Sequence, residues 1–436
     1  MKQVAVFAIF ATGVGLCGCQ FDLKYSLGGT VSGLIGTGLV LKENGRSALD
    51  IPANGAFVFG STVKKGDAYS VTVASQPKLP AQTCTVHNGS GTMGRTDVSN
   101  VVVTCIQAGR FAYVANERSN TVSAFAIDSA TGFMTPLSVP TAPTGAAPVS
   151  LAVDPNGTYL YVVNNASNSL SSFAIDYTTG VLTPAAIAVA TGGSPTAVTV
   201  DPTGRYLYVA NSADGTVTAY SITQGSLPQG IAGSPYRVGR QPSSLKTDPG
   251  GNYLYVSNFA DGTVSVFGIA STGALTAVSG SPFTAGAGAV SIAIDPAGAF
   301  AYVANQTAAT ISAYAINAAG ALAALGTPIA TGSNPESLAI DPAGNALYAA
   351  NVNSPNAIAD FTITAGTGGI ALSSTNPAGL LPLAVVADPG GHYLYTANAQ
   401  SNDVFVYSID GTTGALTKVP GSPFAAGIGP RAIAVY

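Results

Sequence analysis

Short segments in which apolar and polar residues alternate recur along the last three quarters of this chain. The stretch 196–238 shows the arrangement: an apolar segment that ends at Asp201, the segment YLYVAN at 206–211, a further segment at 216–222 and a weaker outer one. A period of two places alternate side chains on opposite faces of a strand. The pattern therefore predicts repeated units of four strands.

Two markers give the period of the repeat. Asp-Pro-x-Gly turns recur every 46 or 47 residues, and Asn ends a Tyr-rich segment in each unit. Periods of this length with four strand-like segments are typical of propeller blades. We therefore predict an all-β protein with a seven-bladed β-propeller at 108–436. The turns begin at Asp154, Asp201, Asp248, Asp295, Asp341 and Asp388, and the asparagines are Asn116, Asn164, Asn211, Asn258, Asn305, Asn351 and Asn398.

The two ends of the repeat region complement each other. Six Asp-Pro turns accompany seven asparagines, and the C-terminal sequence GPRAIAVY at 429–436 matches the opening of a unit and then stops. Gly109 onward supplies the rest of that unit. We predict that the C-terminal strand becomes the innermost strand of the blade begun at Phe111, which closes the ring without an exposed edge.

The repeat itself explains its commonest residues. One tyrosine per unit occupies the same column, and we expect these rings to pack between blades. Each turn aspartate can accept backbone N–H bonds, while Pro and Gly provide the dihedral angles of the turn. A metal site is not expected at these turns, since each has a single carboxylate. The tyrosines are Tyr113, Tyr161, Tyr208, Tyr255, Tyr302, Tyr348 and Tyr395.

The first nineteen residues have the features of an export signal. Lys2 precedes an apolar stretch at 4–16 that is too short to span a membrane. The sequence LCGC resembles the bacterial lipobox, which implies lipidation at Cys19 after the small residue Gly18. A cleaved secretory signal is the alternative. Because Gln20 is not aspartate, we expect an exported protein that is lipid-anchored in the outer membrane of the cell envelope.

Residues 25–106 form a second region with alternating apolar segments and turns that contain Gly or Asn. This pattern predicts a small β-sandwich domain. The stretches GGTVSGLIGTGLVLKENG and ANGAFVFG resemble immunoglobulin-like modules of bacterial surface proteins, which implies a spacer or adhesive role. Cys84 and Cys105 lie in this region, and an even pair in an oxidising compartment predicts a disulfide.

Composition and charge narrow the function. Charged residues make up only 8% of the chain, the formal net charge is −4, and no run of Lys or Arg occurs. A basic surface for nucleic acid is therefore absent. The propeller sequence contains no Ser-His-Asp set, metal cluster or phosphate loop. We expect no cofactor and no metal, and we expect a monomer.

The repeats YLYVAN, GTVSxF and TGxLT resemble YVTN-type propellers and, more closely, the seven-bladed lactonase family that includes 6-phosphogluconolactonase-like proteins. In that family an arginine-led strand and a strand that ends in Asn-Glu carry the site. Matched residue by residue, the resemblance implies Arg431, Asn116 and Glu117 as site residues. The histidine that follows the arginine in the family is Ala432 here, which weighs against lactone hydrolysis.

Topology places candidate residues at the rim opposite the Asp-Pro turns, where inner strands begin. Two of the seven residues that open these strands are charged, Glu336 and Arg431. Glu117 follows Asn116 at the same rim, and loop residues Arg118, Arg237 and Arg240 are placed nearby. Glu117, Glu336, Arg431 and Arg240 thus form a sparse polar set around one channel mouth, either as a ligand site or as surface ion pairs.

Lys246 breaks an inner-strand column that is otherwise small or apolar, so we expect it to reach into the channel or to extend towards solvent. The column contains Ala152, Thr199, Ala293, Ala339, Val386 and Ala434. The first function hypothesis is a lipid-anchored platform that binds a small molecule or protein at the channel mouth. The second is a lactone hydrolase that uses Glu117 and Arg431 on a sugar or dicarboxylic lactone, with Asn116, Arg118, Arg240, Lys246 and Glu336 as ligand-binding residues.

Overall fold

The computed structural model describes residues 24–34, 37–77, 82–107, 111–185, 187–223, 227–353 and 355–436. Every regular element within these ranges is a β-strand, which confirms the all-β prediction. The predicted export signal at 1–19, with Cys19, lies outside the described residues. The chain divides into two compact units, Met1–Cys105 and Ile106–Tyr436.

The first unit contains two four-stranded sheets, in the orders β4-β1-β8-β6 and β3-β2-β5-β7. Leu27, Leu41 and Val101 are fully buried in an apolar core that strands of both sheets share. The predicted disulfide joins Cys84 of β6 to Cys105 of β8. The resemblance to immunoglobulin-like modules stays a prediction. The strands are β1 (Lys24–Ser32), β2 (Leu39–Glu43), β3 (Ser47–Ile51), β4 (Gly55–Lys64), β5 (Ala68–Ser75), β6 (Gln82–His87), β7 (Ser90–Thr92) and β8 (Val98–Gln107).

The described strands of the second unit form seven sheets, here called blades 1 to 7 in chain order. Blade 1 contains β9 (Phe111–Asn116), β10 (Thr121–Ile127) and β11 (Met134–Pro143). Blade 2 contains β12 (Pro148–Val153), β13 (Tyr159–Asn164), β14 (Ser169–Ile175), β15 (Leu182–Pro184) and β16 (Val189–Ala190). Blade 3 contains β17 (Pro195–Val200), β18 (Tyr206–Asn211), β19 (Thr216–Ser221), β20 (Gln229–Gly230) and β21 (Tyr236–Arg237). Blade 4 contains β22 (Pro242–Thr247), β23 (Tyr253–Asn258), β24 (Thr263–Ile269), β25 (Leu275–Ala277) and β26 (Phe283–Thr284).

The later blades repeat this order. Blade 5 contains β27 (Ala289–Ile294), β28 (Phe300–Asn305), β29 (Thr310–Ile316), β30 (Leu322–Ala324) and β31 (Ile329–Ala330). Blade 6 contains β32 (Pro335–Ile340), β33 (Ala346–Asn351), β34 (Ala357–Ile363) and β35 (Ile370–Pro377). Blade 7 contains β36 (Pro382–Ala387), β37 (Tyr393–Asn398), β38 (Asp403–Ile409), β39 (Leu416–Lys418) and β40 (Phe424–Ala425). The last strand, β41 (Pro430–Val435), pairs with β9 in blade 1.

The outer strand differs from the predicted single segment in five blades, where two short strands pair with the same third strand. In three of these blades the Oγ of a serine between the two short strands accepts the N–H of a residue in the third strand. Ser234 accepts from Ala219 at 2.9 Å, and Ser281 and Ser422 do the same in blades 4 and 7. A side-chain oxygen thus replaces the backbone carbonyl that a continuous outer strand would supply.

The second strand of each blade packs against the blades on either side. All six residues of β18 are buried, which explains the apolar sequence YLYVAN. The Tyr208 hydroxyl donates to the Gly273 carbonyl of the next blade at 3.1 Å, and Tyr113 and Tyr348 make the equivalent bonds to Gly180 and Gly414. The tyrosine column therefore packs between blades, as its repetition predicts.

The pairing of β41 with β9 reproduces the bonds of a blade built from continuous chain. Phe111 and Tyr436 exchange two backbone hydrogen bonds of 3.0 Å. At the other end of the pair, the Glu117 N–H donates to the Gly429 carbonyl at 2.8 Å, as the Asn165 N–H donates to Ala147 in blade 2. Both ends of the pair are thus fixed by backbone hydrogen bonds.

Candidate functional site

A cavity of about 170 Å³ lies where the seven innermost strands begin, on the side opposite the Asp-Pro turns. We call it the channel mouth. Two successive residues of each innermost strand line it, so all seven blades contribute to one ring. The lining residues are Val149, Ser150, Thr196, Ala197, Ser243, Ser244, Val290, Ser291, Glu336, Ser337, Leu383, Ala384, Arg431 and Ala432.

Several hydroxyl groups of this ring connect one blade to the next. The Thr196 hydroxyl donates to the Pro242 carbonyl at 2.7 Å, and Ser243 donates to Ala289 at 2.9 Å. Three serine hydroxyls accept backbone N–H groups of the following innermost strand: Ser150 from Val198, Ser291 from Leu338 and Ser337 from Val385. These groups hold the ring together, so we assign them to the scaffold rather than to a ligand.

The two charged residues that line the mouth are Glu336 and Arg431, and Glu117 lies next to Arg431. Arg431 is the second residue of β41, and Glu117 directly follows β9, the strand with which β41 pairs. Arg431 Nη1 lies 3.9 Å from Glu117 Oε2, and their side chains are 42% and 37% exposed. An ion pair this open to solvent contributes little to stability, so both groups remain accessible to a ligand.

Glu336 of β32 is the more enclosed carboxylate. It accepts a hydrogen bond from the Gln306 side-chain amide of blade 5. Burial raises the pKa of Glu336, while the positive charge of Arg431 and the Gln306 hydrogen bond act in the opposite direction. A carboxylate with a raised pKa is a stronger base at neutral pH, which suits it to accept a proton from water.

The structure does not place Asn116 among the lining residues of the mouth. Its side chain is completely buried, and Nδ2 donates to the hydroxyls of Thr121 at 3.2 Å and Ser123 at 2.9 Å. A Cβ at Gly427 would lie 2.5 Å from the Asn116 side chain, so this position needs glycine. Asn116 therefore ends its strand as the other asparagines of the column do, and it is not among the residues that line the mouth.

Three predicted arginines are not among the residues that line the mouth. Arg240 Nε lies 2.6 Å from Asp261 Oδ1, and the Arg240 backbone N–H donates to the same carboxylate at 2.6 Å. These bonds lower the pKa of Asp261. Arg118 is exposed, with its backbone N–H on the Ile428 carbonyl, and Arg237 is in the outer strand β21 rather than in a loop. Of the predicted set of four charges, Glu336 and Arg431 line the mouth, and Glu117 lies 3.9 Å from Arg431.

Sequence reasoning missed two contributions near the mouth. Gln306 follows an Asn of the repeat, as Glu117 does, but its bond to Glu336 of the next blade depends on side-chain geometry. Leu380 and Ile428 are exposed by 50% and 56% in the loops that lead into β36 and β41. Large apolar residues at these two loop positions contrast with Ala146, Gly193 and Ala287 in other blades, which is a signal that the sequence does contain.

Lys246 lies at the other end of the innermost strands, where it lines a separate cavity of about 290 Å³ near the Asp-Pro turns. Within the described ranges, no three His, Cys, Asp or Glu side chains cluster as the ligands of a metal ion would.

Among the residues that the structure describes, no helix is long and apolar enough to cross a membrane.

Comparisons with known proteins give a family and a set of similar folds. A family model described as "Lactonase, 7-bladed beta-propeller" matches residues 70–192, 183–281, 276–381 and 355–435. No curated protein matches the chain significantly. A candidate 6-phosphogluconolactonase of Bacteroides uniformis is 23% identical, with a TM-score of 0.68 over 76% of this chain and 100% of that one. A candidate 6-phosphogluconolactonase of Bacteroides fragilis is 22% identical, with a TM-score of 0.68 over 76% and 98%.

A periplasmic gluconolactonase of Pseudomonas aeruginosa is also similar, at 21% identity and a TM-score of 0.66 over 74% of this chain and 98% of that one. Identities this low show a shared fold. They leave the chemistry to be argued from the residues at the mouth.

Proposed function

This chain belongs to the lactonase family of seven-bladed β-propellers, and we propose that it hydrolyses a small lactone at the channel mouth. The observation that supports this proposal is that Glu336 and Arg431 line one cavity whose other lining residues are uncharged, while Glu117 lies 3.9 Å from Arg431. A base and a cation in one cavity are the minimum that attack of water on an ester carbonyl requires.

In the proposed reaction Glu336 acts as the general base. It accepts a proton from water while the water oxygen attacks the lactone carbonyl carbon, and the guanidinium of Arg431 stabilises the negative charge that forms on the carbonyl oxygen. The ring C–O bond then breaks, and the proton passes from Glu336 to the leaving alkoxide. The product is the open hydroxy acid, and one water molecule is consumed.

Glu117 has a different part in this proposal. It lies 3.9 Å from Arg431 and is more open to solvent than Glu336, so we assign it to positioning the guanidinium. The family histidine would lie at Ala432, which lines the mouth without a proton-transfer group. Proton transfer in this chain therefore depends on Glu336, which is not part of the Asn-Glu and arginine motif.

The cavity size limits the substrate. Cavities that enclose drug-sized ligands are about 300–1,000 Å³, whereas the channel mouth is about 170 Å³. One small ring fits this space, and an oligosaccharide does not. We therefore propose a monocyclic sugar lactone or dicarboxylic lactone.

We also propose that the protein works outside the cytoplasm, anchored through Cys19 in the outer membrane. Two observations support export: the Cys84–Cys105 disulfide is typical of oxidising compartments, and the similar Pseudomonas aeruginosa protein is a periplasmic gluconolactonase. The binding platform that the sequence first favoured becomes the preferred function if no lactone is hydrolysed.

The test is hydrolysis of a lactone panel by the purified chain, followed as acid release at constant pH. The panel contains aldonolactones with and without a phosphate group and dicarboxylic lactones. We expect Arg431→Ala and Glu336→Gln each to lower kcat/KM by about 100-fold or more, because each removes one charge interaction of the transition state. Glu117→Gln should lose less.

Arg240→Ala is the matched control, since it removes an arginine of the same rim that lies outside the cavity. It should keep the activity of the unchanged chain. If no lactone in the panel opens faster than in buffer alone, or if Arg240→Ala loses as much activity as Arg431→Ala, the proposal is wrong.

A further inference from the structure

The second cavity lies at the Asp-Pro end of the channel and has a different character from the mouth. Its volume is about 290 Å³, and strands β22, β27, β32 and β36 contribute to its wall together with residues of the adjoining turns. Most of its wall is apolar. The lining residues are Pro202, Lys246, Thr247, Asp248, Pro249, Ala293, Ile294, Pro296, Leu338, Ala339, Ile340, Val385, Val386 and Ala387.

Lys246 is the basic residue of this wall. The equivalent positions of the other six innermost strands hold alanine, threonine or valine, so no structural need of the repeat accounts for a lysine. Among the described residues, no hydrogen bond or ion pair of the Lys246 ammonium is found. The Lys246 side chain is exposed within the channel, so its ammonium group is open to a ligand from solution.

The acidic residue of the same wall, Asp248, is already engaged by its own turn. Its Oδ1 accepts the backbone N–H groups of Asn252 at 2.7 Å and Tyr253 at 2.6 Å, and its Oδ2 accepts that of Gly250 at 3.2 Å. The carboxylate therefore stabilises the turn, and the ammonium of Lys246 is left to pair with an anion from solution.

We infer that the Asp-Pro end of the channel binds a small aliphatic carboxylate, with the carboxylate group on Lys246 and the hydrocarbon part against the apolar wall. A cation within mostly apolar walls is the usual form of a site that orients an amphipathic ligand. Ile294, Leu338 and Ile340 provide the apolar surface.

The experiment is calorimetric titration of the full chain with straight-chain carboxylates from acetate to octanoate, and with inorganic phosphate for comparison. We expect saturable binding that strengthens with chain length until the cavity is filled and then weakens. Lys246→Ala should weaken the best carboxylate by at least 10-fold. This variant should fold, because alanine occupies the equivalent position in four other innermost strands, as Ala152, Ala293, Ala339 and Ala434.

Two control variants separate this site from other cations. Lys418→Ala removes a lysine of the outer strand β39 that lies 4.2 Å above the Phe405 ring, and it should bind the carboxylate normally. Arg431→Ala alters the channel mouth and should also keep carboxylate binding, even though we expect it to lower kcat/KM for lactone hydrolysis by about 100-fold or more.

The absence of saturable binding would overturn the inference, as would equal losses in Lys246→Ala and Lys418→Ala. A loss in Arg431→Ala with none in Lys246→Ala would place the carboxylate at the mouth instead. Tighter binding of phosphate than of any carboxylate would exclude the proposed ligand class. Because binding is measured without turnover, these outcomes do not depend on whether the chain hydrolyses lactones.

Discussion

The two ends of the channel contain carboxylates with opposite environments. At the Asp-Pro end Asp201 is 1% exposed, and its carboxylate accepts the N–H groups of Thr203, Arg205 and Tyr206 at 2.6–3.1 Å. At the mouth Glu117 is 37% exposed and faces Arg431 across 3.9 Å, at a turn position where blade 2 has Asn165. The acid at the first end belongs to the backbone of its turn, while the acid at the second end faces an arginine that lines a cavity.

This difference shows how to separate scaffold from chemistry in a repeat protein. A carboxylate whose lone pairs are all used by nearby N–H groups stabilises the local structure, and it has little capacity left for a ligand. The same residue type in a position that does not recur, and with oxygen atoms open to a cavity, can bind or react. A carboxylate that recurs at the same position in successive repeats is expected to stabilise the scaffold. A carboxylate that replaces an uncharged residue of its column is a candidate for binding or chemistry.

The largest expected effect comes from removing residues 429–436, which takes Arg431 and β41 from the mouth and leaves all the Asp-Pro turns. All six residues of β9 are buried against their neighbours, and truncation exposes one edge of this strand. We expect the propeller to lose its cooperative thermal transition and to become sensitive to protease, since total stabilities are only about 5–15 kcal/mol.

Full-length Arg431→Ala is the control for this truncation, because it removes the charge and keeps the strand. It should retain the thermal transition, measured by circular dichroism. A truncated chain that unfolds at the same temperature as the full chain would show that β41 supplies Arg431 to the mouth but does not stabilise the propeller.

Much of this comparison could be predicted from the sequence, and the rest depended on side-chain geometry. The Asp-Pro turns, such as the one that begins at Asp201, and the tyrosine column that contains Tyr208 were predictable, because each blade has the same backbone and the same neighbours. Arg240 lies at the predicted rim but pairs with Asp261, and the same loop contact recurs in blade 3, where the Gly193 N–H donates to Asp214. The sequence also did not predict which of the two cavities Lys246 lines, because that depends on side-chain geometry.

The next effect in size is expected from Asp201→Ala at the Asp-Pro end. The substitution removes the acceptor for the part-buried N–H of Arg205 and the buried N–H of Tyr206. An unsatisfied buried group costs about 1–3 kcal/mol, so we expect a loss of about 3–5 kcal/mol in the free energy of unfolding. Denaturant unfolding measures this loss.

Glu336→Gln is the matched comparison at the mouth, because it alters a carboxylate that no turn uses. It should change the free energy of unfolding by less than about 1 kcal/mol while lowering hydrolysis. Equal stability losses in Asp201→Ala and Glu336→Gln would refute the distinction between the two ends.

The smallest effect concerns Asp360, a carboxylate that belongs to neither end. It lies in β34, is 2% exposed, and occupies the column that holds Ala219 and Val406 in other blades. Its Oδ2 accepts hydrogen bonds from Ser374 at 2.7 Å and Asn376 at 2.8 Å, while its buried Oδ1 has no hydrogen-bond partner. Burial raises the pKa of Asp360 to about 6, against the opposing effect of these two hydrogen bonds.

A pKa that is higher in the folded state means that the fold favours the protonated acid. The contribution of Asp360 to stability is therefore full below the unfolded pKa near 4 and is lost as the pH rises through about 6. Asp360→Val should raise the free energy of unfolding by about 2–3 kcal/mol at pH 8 and by less than about 1 kcal/mol at pH 4. Denaturant unfolding of both chains across this range measures the difference, and a difference that does not change with pH would show that local hydrogen bonds satisfy this acid as fully as they satisfy Asp201.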